Sequence, residues 1–216
     1  MADRFRYIVV EGPIGVGKTS LAKRLSRDLG SELLLEKPEE NPFLASFYRN
    51  PRQYALPTQL QFLLQRAQQV QDFRQADLFR GSQMVADFMV DKDVLFAQMT
   101  LSKDELALYQ QIYAHLTLDA PRPDLVIYLQ APIATLRERI SRRGIDYEQS
   151  IRDDYLARLS ESYTRFFYNY DDGALLTVNT QSVDLINNDD DYRAMLEKIR
   201  DIHGGRHYFN QSSFAI

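Results

Sequence analysis

Two hydrophobic rhythms alternate along this chain. Short apolar runs fit for buried strands lie at roughly 6–11 (centred on Tyr7-Ile8-Val9-Val10), at Glu32-Leu33-Leu34-Leu35, Gln83-Met84-Val85-Ala86, Leu125-Val126-Ile127-Tyr128-Leu129 and Leu175-Leu176-Thr177-Val178. Between them, apolar positions recur three and four residues apart, the spacing of a helix that buries one stripe. A helix is expected to follow the first strand to about Leu29 and to stop at Gly30, a residue suited to the left-handed C-cap. Phe43–Tyr48 suits a short helix inside a segment punctuated by Pro38, Pro42 and Pro51. A long helix is expected from near Pro57 to Arg80, with Leu60, Leu63, Leu64, Ala67, Val70 and Phe73 on its apolar stripe. Further helices are expected at 92–100, 103–118, 133–142, 151–169 and 190–202, the last ending at Gly204-Gly205. Strands alternating with helices predict an α/β domain spanning 1–216, with a five-stranded parallel sheet and helices on both faces.

Composition adds bounds. The 216 residues are 44% hydrophobic and 26% charged, enough for one proper core. The net charge is −4 and no Lys/Arg block stands out, which argues against nucleic-acid or membrane-surface binding. There is no cysteine, which removes disulfides, thiolate catalysis and cysteine-based zinc sites. The start, Met-Ala-Asp-Arg-Phe-Arg, has no apolar signal segment, and no run reaches membrane-span length; a cytoplasmic location is expected.

The chemistry begins at residues 12–19, Gly-Pro-Ile-Gly-Val-Gly-Lys-Thr, a complete phosphate loop between an apolar run and a helix-forming stretch. Gly12, Gly15 and Gly17 let backbone N–H groups turn inward around an anion. The positive end of the following helix dipole adds to this. Lys18 is placed to reach the β- and γ-phosphates of ATP, and the Thr19 hydroxyl to ligate Mg²⁺. The fold expected is therefore that of the phosphate-loop NTPases.

In a doubly wound sheet, ligands gather beyond the carboxyl ends of the strands. Glu36 stands there after strand two and Asp87 after strand three. Glu36 is the candidate base for a hydroxyl that attacks phosphorus; its alternative is a solvated loop, Glu36-Lys37-Pro38-Glu39-Glu40. Asp87 is the candidate metal carboxylate; its alternative is a helix cap. Arg137, Arg139, Arg142 and Arg143 crowd one segment, and from spacing alone an exposed helix face explains them well. Asp189-Asp190-Asp191 reads as the acidic first turn of the last helix. His203 and His207 are four apart, but Gly204 and Gly205 break a helix between them, which argues against a metal pair.

Several ordered pieces then resemble the deoxynucleoside kinases of the non-zinc type, over nearly the whole chain. Besides the phosphate loop these are Leu-Glu-Lys-Pro at 35–38, Asn-Pro-Phe at 41–43, Phe-Tyr at 47–48, Gln59 with Arg66 seven residues on, Leu-Phe-Ala at 95–97, Tyr-Leu-Gln-Ala-Pro at 128–132, and Arg-Arg-Gly with Tyr-Glu-Gln within 142–149. The resemblance implies roles. Glu36 matches the base on the 5′-hydroxyl, and Tyr48 with Glu148 the pair on the sugar 3′-hydroxyl. Gln59 matches the amide that reads the nucleobase, and Phe96 an aromatic packed on it. Arg139 and Arg143 match the arginines of a lid at about 139–149. It implies ATP and Mg²⁺ as cofactors, a small nucleoside as substrate, and a homodimer through the helices at 57–80 and 103–118. Two departures stand out. The family's Asp/Glu-Arg-Ser after strand three reads Ala86-Asp87-Phe88-Met89 here, without arginine. Asp87 keeps the acidic role, or the alignment shifts by one and leaves Lys92 or Arg66 to compensate. Ile145 stands where relatives carry a further arginine.

The function expected is ATP-dependent phosphorylation of a deoxyribonucleoside 5′-hydroxyl, purines first and deoxyadenosine foremost, with deoxycytidine the main competitor. The alternatives are a nucleoside monophosphate kinase and a non-kinase ATP sensor that regulates a partner. Neither Asp-x-x-Gly after strand three nor Asn-Lys-x-Asp occurs, which argues against a GTPase switch.

Overall fold

A computed structural model describes residues 4–80, 83–116 and 120–210, with side chains throughout except at 73–80. Five parallel strands follow the apolar runs: β1 (Tyr7–Glu11), β2 (Glu32–Leu34), β3 (Met84–Ala86), β4 (Leu125–Gln130) and β5 (Ala174–Asn179). A sixth, β6 (Arg206–Phe209), corrects the expected five-stranded sheet. It follows Gly204 and Gly205, whose positive φ angles of 142° and 73° turn the chain back beside β5. Its sequence, Arg-His-Tyr-Phe, has no apolar run, because an edge strand half in water needs none. The order is β2-β3-β1-β4-β5-β6, every pair parallel.

The helices are α1 (Lys18–Leu29), α2 (Leu44–Arg49), α3 (Pro51–Arg80), α4 (Lys92–Thr100), α5 (Lys103–Leu116), α6 (Ile133–Arg143), α7 (Asp153–Tyr168) and α8 (Asp189–Arg200). The long helix starts at Pro51, six residues before the expected Pro57. Pro51 sits in the first turn, where its missing N–H costs nothing, whereas Pro57 lies inside the helix and gives up the bond to the Gln53 carbonyl, which its ring also crowds. On α3, Leu63 and Ala67 are buried but Leu64 is 52% exposed; Phe73 of the expected stripe lies outside the described side chains, as do residues 117 and 118 of the expected 103–118 helix outside the described residues. Asn188 caps α8 by accepting from the Asp190 and Asp191 amides, so the acidic triplet is the first turn of a helix as expected.

Period-two alternation divides the core. Ile8, Val10, Ile127, Leu129 and Leu176 pack with Leu21 and Leu25 of α1 and Met195 and Ile199 of α8. Val9, Ala86, Val126 and Tyr128 pack on the other face with Leu95 of α4 and Leu159, Tyr163 and Phe167 of α7. Both faces are covered, as a parallel sheet requires. The carboxyl ends of β1, β2 and β3 then open onto one side, together with α3 and α4. No helix among the described residues is long and apolar enough to cross a membrane.

Candidate active site

The phosphate loop joins β1 to α1 through three glycines with positive φ. At Gly12 an added Cβ would lie 2.4 Å from the Leu129 carbonyl oxygen, and at Gly15 2.8 Å from Ile140 Cγ1. Gly12→Ala is therefore expected to strain both backbone and contact, costing about 1–3 kcal/mol; thermal unfolding against Gly17→Ala, where a Cβ meets nothing within 4 Å, checks the steric share. Gly17, also left-handed, is the N-cap of α1, so the loop's amides and the helix N-terminus point the same way. Lys18 Nζ donates to the Gly12 carbonyl (2.8 Å) and the Pro13 carbonyl (3.3 Å). Burial, and next the nearby Lys92 ammonium, push its pKa down.

Glu36 follows the end of β2 and turns into the same cavity as Lys18, Thr19, Asp87, Lys92 and Arg66. It is no solvated loop residue: Arg66 of α3 donates to Glu36 Oε1, and Lys92 Nζ lies 3.3 Å from Oε1 and 3.4 Å from Oε2. Burial raises its pKa, but Lys92, Arg66 and Lys18 together outweigh that and hold it at about 2. Asp87 accepts from the Thr19 hydroxyl (2.5 Å) and from the Glu36 amide (2.7 Å), which fixes the end of β2 against the end of β3. Burial pushes the Asp87 carboxyl up, against those two bonds. Thr19 and Asp87 thus present a hydroxyl and one carboxylate beside the loop. Mg²⁺ on a nucleotide takes one or two protein oxygens and fills its octahedron with phosphate and water, so this pair fits that ion. Among the described residues no group of three or more His, Cys, Asp or Glu could hold a metal by itself.

The wall facing the loop is built by α2, α3 and the 3₁₀ turn at Asp146–Ser150. Asn41 sets its angle: its Nδ2 donates to the Thr58 carbonyl of α3 and its Oδ1 accepts from the Phe43 amide. Gln59 (3% exposed), Tyr48, Phe96 and Glu148 all line the cavity. The Tyr48 ring stacks on Tyr147 at 6.1 Å and meets Tyr155 edge-on. Burial first, then Tyr155 and Glu148, raise the Tyr48 phenol's pKa, so it remains a neutral O–H donor. Glu148 accepts two bonds from Arg143 of α6, Nε at 2.9 Å and Nη2 at 2.6 Å. The two expected lid arginines separate. Arg143 stands at the cavity, whereas Arg139 reaches away to the Val16 carbonyl (3.1 Å) and to the Thr180 hydroxyl and carbonyl. There it lines a second cleft, between the phosphate loop and the segment after β5, that Arg143 also borders.

Two acids escaped the sequence reading. Glu11, fully buried at the end of β1, accepts from the Gly12 amide, the Met89 amide and the Tyr163 hydroxyl. A carboxylate closing an apolar strand just before a phosphate loop was the available signal. Asp93, 1% exposed, pairs with the other Nη of Arg66. Burial raises its pKa to about 6, against the pull of Arg66. Nothing in its spacing marked it.

Comparison with known proteins agrees with this geometry. The family model "Deoxynucleoside kinase" matches residues 8–203. The chain is 34% identical to the deoxyguanosine kinase of Bacillus subtilis over 200 residues, covering 91% of this chain and 97% of that one. It is 30% identical to the deoxyadenosine kinase of Lactobacillus acidophilus, covering 91% and 98%. Among solved structures, the deoxyadenosine kinase from M. mycoides with products dCMP and dCDP superposes with a TM-score of 0.77 at 23% identity, over 91% of this chain and all of that one. With the family model spanning residues 8–203 and relatives at 30–34% identity covering 91% of its length, the chain belongs to the deoxynucleoside kinase family.

Proposed function

We propose that this deoxynucleoside kinase uses ATP with Mg²⁺ to phosphorylate purine deoxynucleosides, deoxyadenosine foremost and deoxyguanosine next. One observation carries the reading: a single cavity holds the phosphate-loop lysine, the buried Glu36 carboxylate and a polar wall of Gln59, Arg66 and Asp93. The acceptor's 5′-oxygen forms a bond to the γ-phosphorus while the bond to the β,γ-bridging oxygen breaks. The electron pair leaves with ADP and the hydroxyl proton passes to Glu36. The transition state is loose and asks little of the nucleophile, so a weak base positioned in reach suffices. Lys18 and the loop amides hold the phosphates; Thr19 and Asp87 would hold Mg²⁺, which supplies charge neutralisation on the phosphate oxygens. Arg143 closes the lid side of the cavity, Arg139 stands beside the phosphate loop in the neighbouring cleft, and Tyr48 with Glu148 hold the sugar 3′-hydroxyl.

Base choice rests on hydrogen-bond chemistry. The Gln59 amide donates and accepts in one plane. The Asp93 carboxylate, with its Oδ2 unpartnered, accepts from an exocyclic amino group, and Arg66 donates to ring acceptors. Adenine and guanine offer both partners, cytosine offers them on a smaller ring, and thymine has no amino group. Competition among the four deoxynucleosides decides this: the purines should win, and thymidine ahead by tenfold or more, about 1.4 kcal/mol, would refute it.

Glu36 also sets a pH expectation. A carboxyl whose folded pKa is lowered to about 2 is ionised at every pH above that. The pH profile of kcat/KM should therefore show no acid limb near pH 4–5 from this group. A limb at pH 4–5 that vanishes in Glu36→Gln would contradict the ion-paired geometry.

A homodimer through α3 and α5 belongs to the same reading. Leu64 of α3 and Leu108 of α5 are 52% and 47% exposed, and pairing with a second copy would cover them. Sedimentation should give twice the 25.2 kDa chain mass; a monomer at micromolar concentration would refute it.

A further inference from the structure

The segment after β3 brings no arginine to the site, yet α4 delivers a buried cation there. Lys92 is 3% exposed. Its Nζ lies 3.3 and 3.4 Å from the two oxygens of Glu36 and 3.4 Å from Glu11 Oε1. These contacts are slack, since a good N⁺–H···O⁻ bond spans about 2.7–2.9 Å. Neither carboxylate depends on Lys92 for a partner. Glu11 already accepts from two backbone amides and the Tyr163 hydroxyl. Glu36 already has the Arg66 guanidinium. Burial disfavours the Lys92 ammonium, but the charges of Glu11 and Glu36 outweigh that and raise its pKa, so it stays a cation without a short hydrogen bond. The amine instead hangs between two acids on the wall of the cavity that also holds Lys18. Lys18 and Lys92 face one space and repel each other, with Glu36 the carboxylate on which both already act.

We propose that Lys92 is a catalytic residue of this chain, donating to the γ-phosphoryl group beside the attacking 5′-oxygen, and that Glu11 is the residue that positions it. This rests on the kinase reading above and on the same bond changes. Lys18 and Lys92 would then grip the transferring group from the β1 and α4 sides. The protons that Lys92 offers stay on nitrogen throughout, so its part is electrostatic and strongest as charge spreads over the phosphoryl oxygens. The competing account is structural: Lys92 only offsets the buried charge of Glu11.

The test measures kcat, KM and equilibrium nucleoside binding, with deoxyadenosine as acceptor, for Lys92→Met, Lys92→Arg and the double variant Glu11→Gln/Lys92→Met. The proposal expects Lys92→Met to lose roughly 10²–10³-fold in kcat. KM for the nucleoside should stay within about threefold, the mark of an interaction made only in the transition state. The double variant, with no unpaired charge left, should fold and remain as slow, and Lys92→Arg should recover to within about tenfold of the parent. Normal turnover in Lys92→Met overturns the proposal, and so does recovery in the double variant. Failure of both Met-bearing variants to fold overturns it too, because the amine would then be a structural group. Parent enzyme inactive on all four deoxynucleosides would instead defeat the kinase reading itself.

Discussion

Lys18→Ala is expected to abolish phosphoryl transfer, by more than about 10³-fold, in a protein that still folds. Lys18 begins α1 and, among the described residues, donates to carbonyls of its own loop, Gly12 and Pro13. Losing it forfeits two hydrogen bonds, each worth about 1 kcal/mol or a little more, and opens no hole in either core layer. The loop is held by Val16 in the core and by the left-handed glycines, not by this side chain. What disappears is a compact charge that no neighbouring group can replace at the phosphates. Turnover and thermal unfolding, measured together, check both halves. Near-normal turnover with any nucleoside would mean that the loop does not serve the reaction.

The second large effect is expected from Glu36→Gln, a fall in kcat of roughly 10²–10⁴-fold with a smaller change in nucleoside binding. Glutamine keeps the shape and one acceptor oxygen for Arg66, which also retains Asp93. The fold should therefore survive. The amide has no basicity for the 5′-hydroxyl proton, and the carboxylate charge beside Arg66 and Lys92 is gone. An unchanged rate would reduce Glu36 to a tether between β2 and α3.

How far the chain could be read in advance follows from where each signal lies. The buried strands were legible because parallel strands covered on both faces are continuous apolar runs. β6 was not, since Arg206–Phe209 lies at an edge and alternates exposed with half-buried residues. The phosphate loop was legible because its chemistry is local: glycines, lysine and threonine act within eight consecutive residues. Glu36 was legible from its place at the end of strand two, Tyr48, Gln59 and Glu148 through ordered resemblance, and the fold brings all four to one cavity. The acid–cation network was illegible in detail, because Glu11, Arg66, Lys92 and Asp93 meet only when β1, α3 and α4 are assembled. Arg139 and Arg143 shared one lid role by resemblance, yet one binds the Thr180 segment and the other Glu148.

The most direct test of the central claim follows the phosphorus. Purified protein, Mg²⁺ and ATP labelled at the γ-phosphate are incubated with each of the four deoxynucleosides, and the labelled product is separated and identified. The account predicts label on the 5′-oxygen of deoxyadenosine and deoxyguanosine, as monophosphates formed in step with ADP. Label released only as inorganic phosphate, or transferred only when a nucleoside monophosphate is supplied, would contradict it.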